Sequence, residues 1–189
     1  QRVLGLYGPF MSPYWTWSKQ RGMENIDGVG FMGALSGDGR IVGGTITKRA
    51  ETEYGPVDRE YAAIWDRATG WKSIANESFK GCDIFHTSVF DVNRDGSAVV
   101  GLAFEDCANA HAYKWTAREG MRRLGKTSAG AARANAVSGD GRVVGGWEEI
   151  PEAGGFRVGA LWHGPEQMLI TDREPQNPYG YVGEVMAVN

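Results

Sequence analysis

The chain has 189 residues, of which 42% are hydrophobic and 23% charged, and its formal net charge is −3. This composition supports one domain with a substantial core. Nucleic-acid binding is not expected, because no basic cluster is longer than Arg122-Arg123. The longest apolar run is far shorter than the ~20 residues of a membrane helix, so we expect no membrane span.

One block of sequence returns along the chain. Residues 3–7 resemble its Val-Val-Gly strand, and residues 34–44, 91–101 and 136–146 each carry a short strand, a turn with Gly and a second strand. A later strand of each copy ends in Trp, at Trp17, Trp65, Trp115 and Trp162, spaced by 48, 50 and 47 residues. The apolar runs are short, rich in Val, Ile and aromatic residues, and bounded by Gly and Asp, which is typical of strands. A repeat of this period indicates a propeller or another array.

Each copy contains four predicted strands. In the second they cover 90–93, 97–103, 110–115 and 121–124, and in the third 135–138, 142–147, 158–162 and 167–170. Four strands in about 45–50 residues make one propeller blade. We therefore predict an all-β fold, a β-propeller of four-stranded antiparallel blades in a single domain. The predicted units are 1–30, 31–87, 88–132 and 133–180, with 181–189 as a first strand that completes or starts a blade. Both a closed four-bladed ring and a segment of a larger propeller fit this pattern.

Short and long connections separate the two ends of the predicted blades. Gly39, Gly96 and Gly141 each follow Asp, and an Asp-Gly pair between strands is a strong hairpin signal because Gly accepts positive φ. The long connections differ from copy to copy and are expected at the opposite end, which we call the loop face. Recognition is usually placed on such variable loops. The predicted loops are 8–13, 48–59, 76–87, 105–109 and 148–155.

The aromatic residues divide into a repeated and an unrepeated set. Trp65, Trp115 and Trp162 occupy equivalent strand ends, so we expect them in the core between blades. The unrepeated aromatics lie in or beside the predicted loops, where they suit protein interfaces and sugar faces equally. The candidate binding residues are Trp147, Tyr54, Phe156, Phe85 and Phe10.

The two cysteines of the chain, Cys82 and Cys107, fall in neighbouring predicted loops. Two cysteines on one face favour a disulfide over a metal site, and a disulfide indicates an oxidising compartment. Two unpaired thiols are the alternative.

A family resemblance lies in residues 110–115, Ala-His-Ala-Tyr-Lys-Trp, followed by Gly-Met-Arg-Arg-Leu-Gly at 120–125. These motifs resemble the bacterial extracellular repeat family named for its His-Ala-Phe signature, and the resemblance spans nearly the whole chain. The signature histidine stands only at His111, with Tyr61, Val158 and Pro13 at the equivalent positions. The resemblance implies a secreted, periplasmic or cell-surface propeller of bacteria without established catalysis, and it transfers no functional residue.

Other patterns do not reach the specificity of a catalytic or metal site. The Asp91-x-Asn93-x-Asp95-Gly96 run matches the opening of a calcium loop, but the twelfth position is Leu102 rather than Glu. The three histidines share no ligand spacing, and the loop carboxylates at Glu148 and Glu149 are most simply a solvated surface. We therefore assign no metal, cofactor or catalytic residue.

Three functions remain open from the sequence. The leading prediction is a non-catalytic module that binds a protein partner or joins a larger surface assembly. A carbohydrate-binding module, with a glycan ligand, is the first alternative. A polysaccharide-active enzyme is the second, and it requires two carboxylates facing each other in a cleft.

Overall fold

The structure is a computed structural model that describes residues 1–8, 12–30, 33–52, 55–82, 84–151, 154–170 and 183–189. Its strands form four antiparallel sheets, and no α-helix occurs in these residues. The first sheet contains β1 (Arg2–Leu6), β2 (Ser12–Ser18) and β3 (Gly22–Gly30). The second contains β4 (Ala34–Leu35), β5 (Val42–Thr52), β6 (Gly55–Asp66) and β7 (Gly70–Ser73). The third contains β8 (Thr87–Val92), β9 (Ala98–Phe104), β10 (Ala110–Thr116) and β11 (Gly120–Arg123). The fourth contains β12 (Ala132–Val137), β13 (Val143–Ile150), β14 (Phe156–His163) and β15 (Glu166–Leu169).

In each four-stranded sheet the strands lie side by side in chain order, as in a propeller blade. The predicted all-β fold of four-stranded blades is confirmed. The first sheet has three strands, and its β1 is equivalent to the second strand of the other sheets. The sheets do not close into a ring, because β1 pairs only with β2 among the described strands.

The repeated turns are built by a serine and an aspartate. The Ser36 hydroxyl donates to Asp38 at 2.7 Å and accepts from the amide of Ile41 at 3.0 Å. Ser138 and Asp140 repeat the first contact in the fourth sheet at 2.7 Å. Gly39 follows with φ of 73°, a conformation that strains any residue with a Cβ. The Asp-Gly hairpins predicted from the sequence are therefore real turns with their own hydrogen bonds.

The core lies between successive sheets. Trp115 and Trp162 are buried, at 9% and 1% exposure, in two separate hydrophobic clusters, which confirms them as core residues. Trp65 is half-buried at the edge of a third cluster with Tyr14 and Val42. The sheets approach closely because glycines stand where the first strand of one sheet crosses the sheet before it. A Cβ at Gly43 would lie 2.6 Å from methyl carbons of Val89 and Val92.

One predicted loop and one predicted strand are structured differently from the expectation. Most of the segment 48–59 belongs to the β5–β6 hairpin, which stays paired as far as Thr52 opposite Gly55. The sequence does not predict this extension of β5, because residues 45–52 are mostly polar and carry no apolar alternation. Residues 183–189, predicted as part of a first strand, have no strand assignment but lie over the fourth sheet, where the Val185 amide donates to the Gly146 carbonyl at 3.0 Å.

Candidate functional site

The long connections meet at one end of the sheets, opposite the Asp-Gly turns. The long β5–β6 hairpin and the link between the second and third sheets contact each other there. The amide of Glu60 donates to the carbonyl of Ile84 at 2.7 Å, and the amide of His86 donates to the carbonyl of Glu60 at 3.1 Å. Two backbone hydrogen bonds therefore hold the link beside β6 in a single parallel bridge.

A disulfide fixes the turn within this link. Cys82 and Cys107 are bonded, as predicted, with their Cα atoms 4.6 Å apart. The amide of Cys82 donates to the carbonyl of Phe85 at 2.6 Å, and the amide of Phe85 donates back to Cys82 at 2.7 Å. Gly81 before it has φ of 77°, and a Cβ there would lie 2.9 Å from the Phe85 carbonyl oxygen. Only glycine fits this position without strain.

The fixed turn exposes two apolar side chains. Ile84 is 45% exposed and Phe85 is 40% exposed, although large apolar residues favour burial. The Phe85 ring lies 6.2 Å from the ring of Phe104, which supports it from one side. We call Ile84 and Phe85, with their disulfide, the anchored turn. Phe85 is one of the binding candidates predicted from the sequence. Ile84 is not among them, although it directly precedes Phe85 and follows Cys82 by two residues.

Beneath the anchored turn lies a buried polar cluster. His86 is 2% exposed, and its Nε2 donates to the carbonyl of Phe79 at 2.6 Å, while Nδ1 has no hydrogen-bond partner among the described residues. Burial lowers the pKa of His86 and thus favours the neutral ring. Its ring stacks on Tyr61 with centroids 4.4 Å apart. Glu60 is also buried, and burial raises the pKa of its carboxyl.

A charged group flanks the cluster on the third sheet. Glu105 lies 3.0 Å from Nε2 of His111 and 3.1 Å from the guanidinium of Arg123. Hydrogen bonding from Arg123, followed by that from His111, lowers the pKa of Glu105. The Arg123 guanidinium also lies 4.8 Å from the centroid of the buried Phe79 ring. The rim of the anchored turn is therefore polar and ordered around an apolar centre.

Trp147, the preferred binding candidate from the sequence, is buried rather than presented to solvent. It is 4% exposed on β13, opposite Gly159, whose lack of a side chain leaves room for the indole. The guanidinium of Arg157 lies 4.1 Å from the indole centroid and that of Arg133 lies 5.2 Å away. Glu184 accepts a hydrogen bond from Arg133 at 2.9 Å and one from Arg157 at 2.5 Å. The expectation that Trp147 offers a free aromatic surface is wrong, because two unrepeated arginines cover it.

Of the three other binding candidates, the structure describes only Phe156. Phe156 begins β14 on the loop face and is 41% exposed. Tyr54 and Phe10 lie outside the described residues. Phe85, in the link between the second and third sheets, and Phe156, on the fourth sheet, therefore remain as exposed aromatic candidates.

The conspicuous loop carboxylate of the fourth sheet has a structural task. Glu148 is fully buried and accepts hydrogen bonds from the amide of Thr127 at 2.9 Å and from the amide of Ser128 at 2.5 Å. Gln167 donates a further bond at 2.6 Å. Burial alone raises the pKa of Glu148, but the hydrogen bonds outweigh it and the net shift is downward. The carboxylate thus tethers the 124–131 link to β13.

The run that resembles a calcium loop also serves the backbone. Asp91 accepts from the amide of Val137 at 2.8 Å and from that of Val92 at 2.8 Å, and thereby joins two sheets. Asp95 accepts from the amide of Ser97 at 3.0 Å within its own turn. In the part of the chain that the structure describes, no group of three His, Cys, Asp or Glu side chains has a metal-binding arrangement.

Comparison with known proteins finds the fold but no family. No family model matches the chain, and no curated protein matches it. Among solved structures it is similar to TolB from Acinetobacter baumannii, with a TM-score of 0.55 and 15% identity over 89% of this chain and 41% of that one. It is also similar to a putative TolB from Agrobacterium tumefaciens, with a TM-score of 0.56 and 17% identity over 85% of this chain and 55% of that one. The chain thus spans about half the length of these proteins, and the likeness supports the β-propeller fold.

Within the described residues no helix has the length and apolar character needed to cross a membrane.

Proposed function

We propose that the chain is a non-catalytic propeller module that binds a protein partner through its loop face, with the anchored turn at the centre of the contact. The observation that carries this proposal is the exposure of Ile84 and Phe85 on a turn that is locked by a disulfide. A preorganised apolar centre loses little conformational entropy on binding, and aromatic anchors with a polar rim are typical of protein interfaces.

The disulfide also bears on the compartment. Disulfides persist in oxidising environments and are rare in the cytosol. We infer a secreted, periplasmic or cell-surface location from the Cys82–Cys107 bond. The resemblance of residues 110–125 to the His-Ala-Phe repeat family supports the same location.

A partner rather than a substrate is favoured by the tasks of the carboxylates. The polysaccharide-active enzyme requires two carboxylates that reach a sugar. Glu148 is fully buried and bonded to backbone amides, and Glu60 is 2% exposed beneath the anchored turn. Neither reaches a ligand at the surface, which leaves the enzyme with less support than binding.

The experiment immobilises three forms of the chain, the wild type and two variants, and passes a cell-envelope extract over each of them. Phe85→Ala removes the aromatic anchor, whereas Met168→Ala removes a more exposed apolar side chain from β15, away from the anchored turn. Proteins retained by the wild type and by Met168→Ala, but lost by Phe85→Ala, are then purified and their dissociation constants measured. We expect Phe85→Ala to weaken binding by more than about 1 kcal/mol, the usual limit for an interface anchor.

Equal retention by Phe85→Ala and Met168→Ala contradicts the proposal. Unfolding curves of both variants serve as the control, because an exposed side chain lost from a loop or an edge strand should leave cooperative unfolding unchanged.

A further inference from the structure

The first sheet exposes a row of apolar side chains on the face that is turned away from the second sheet. Val3, Trp17 and Met23 stand opposite one another across β1, β2 and β3. They are 40%, 42% and 57% exposed. The opposite face of the same sheet carries Tyr14 and Ile26, which are buried against the second sheet.

The third sheet carries the same three residue types in the same register, and there they are buried. Val99 is paired with Trp115, and Trp115 with Met121, and their exposures are 0%, 9% and 6%. All three belong to the cluster that joins the third sheet to Ala62 and Ile74 of the second. The exposed row of the first sheet is therefore a sheet-joining surface with no sheet against it among the described residues.

The complementary surface lies at residues 183–189. A Cβ at Gly145 of β13 would lie 2.6 Å from a methyl carbon of Val185 and 2.9 Å from one of Val188. At the equivalent Gly43, Val89 and Val92 of β8 make this approach with the same three-residue spacing. Residues 183–189 thus cover the fourth sheet as β8 covers the second, yet they pair with no strand among the described residues.

A place for such a strand runs along the free edge of β1. A groove of about 410 Å³ lies there, lined by Leu4, Leu6, Tyr14 and Leu35 among others. Met186, which is 70% exposed, is equivalent to Phe90 of β8, whose ring contacts Arg133 of the next sheet at 4.6 Å. If a strand with the sequence of residues 183–189 paired with this edge of β1, its side chain at position 186 would point toward the groove.

We propose that a second copy of this chain makes this joint: residues 183–189 of one copy pair with β1 of the other, and the Val3–Trp17–Met23 row packs against the fourth sheet. Five positions carry the same residue type in this joint and in the one between the second and third sheets. Val3, Trp17, Met23, Val185 and Val188 correspond to Val99, Trp115, Met121, Val89 and Val92. Head-to-tail contacts form rings when the rotation closes.

The joint lies on the sides of the outer sheets rather than on the loop face, so its failure leaves the proposed partner site standing. The first test is the molar mass of the purified chain by light scattering between about 1 and 100 µM, because association depends on concentration by mass action. We expect mass above 20.6 kDa that rises with concentration. Trp17→Glu, which puts a charge into the joint, is expected to weaken association more than about tenfold. Ala117→Glu, which adds the same charge in the exposed turn between β10 and β11 of the third sheet, is the control and should associate normally. A wild type that stays monomeric throughout, or a Trp17→Glu variant that associates normally, overturns the proposal.

The second test traps the contact itself. Val188 and Val3 are equivalent to Val92 and Val99, which stand opposite each other in the third sheet. Cysteines at opposed strand positions fall within disulfide reach. Mixing Val3→Cys with Val188→Cys under mild oxidation should give a linked pair of twice 20.6 kDa. The absence of that product, or an internally linked monomer from the chain with both substitutions, would contradict pairing between copies.

Discussion

Removal of the Cys82–Cys107 disulfide should cost the chain a large part of its stability. The bond closes a loop of 25 residues that contains β8 and β9, the first two strands of the third sheet. The loop-entropy relation gives about 3.5 kcal/mol for a loop of this length. For a domain of this size that corresponds to a fall in the melting temperature of about 7–14 °C.

The assay is urea unfolding of the wild type and of the Cys82→Ser/Cys107→Ser variant, with tryptophan fluorescence as the signal that monitors unfolding. The variant should have a lower midpoint and a steeper dependence on urea, because its unfolded chain is less compact. Wild type measured after reduction gives the same comparison without a sequence change. A difference below about 1 kcal/mol would show that the unfolded chain is already compact without the bond, and that the entropy reasoning does not hold here.

Two further substitutions test the packing of the sheets. Glu148→Gln should destabilise the chain by about 2 kcal/mol at neutral pH, because a charged acceptor of two amides is lost. Since the folded pKa of Glu148 is lowered, its contribution is present above the unfolded value and is lost as the pH falls through the folded one. Gly43→Ala should cost about 1–3 kcal/mol, because the new methyl lies 2.6 Å from carbons of Val89 and Val92.

Both predictions have direct controls. Gly125→Ala should be nearly neutral, because the nearest atom to its Cβ is 3.8 Å away. For Glu148→Gln, the wild type and variant midpoints should converge in acid. A constant difference from neutral pH to below about pH 4 would contradict the assigned role of the carboxylate.

The sequence predicts those parts of the fold that the repeat itself encodes. The Asp-Gly turns, the buried Trp115 and Trp162 and the strands of the third and fourth sheets follow from residue types that recur at each copy. The disulfide follows because the repeat places both cysteines on the loop face. In each case a local pattern and a packing requirement agree.

Features that depend on unrepeated residues are not predictable in this way. From the sequence, Trp147 is predicted to be an exposed aromatic residue. In the structure Arg133 and Arg157 from the adjacent strands cover its ring, and no recurring sequence pattern predicts these contacts. The long β5–β6 hairpin is polar along its outer half, so its pairing carries no apolar alternation. The exposure of Ile84 depends on a turn geometry that a single sequence does not reveal.

The most direct test of the proposed function is a hydrogen-exchange footprint of the chain with the partner retained by the wild type and lost by Phe85→Ala. We predict protection in the 79–87 link around Phe85 and at the start of β14 near Phe156, where the exposed aromatic side chains lie. The turns at Asp38, Asp95 and Asp140 should exchange as in the free chain. Protection at those turns, with none around Phe85, would place the contact on the opposite end of the sheets and contradict the account.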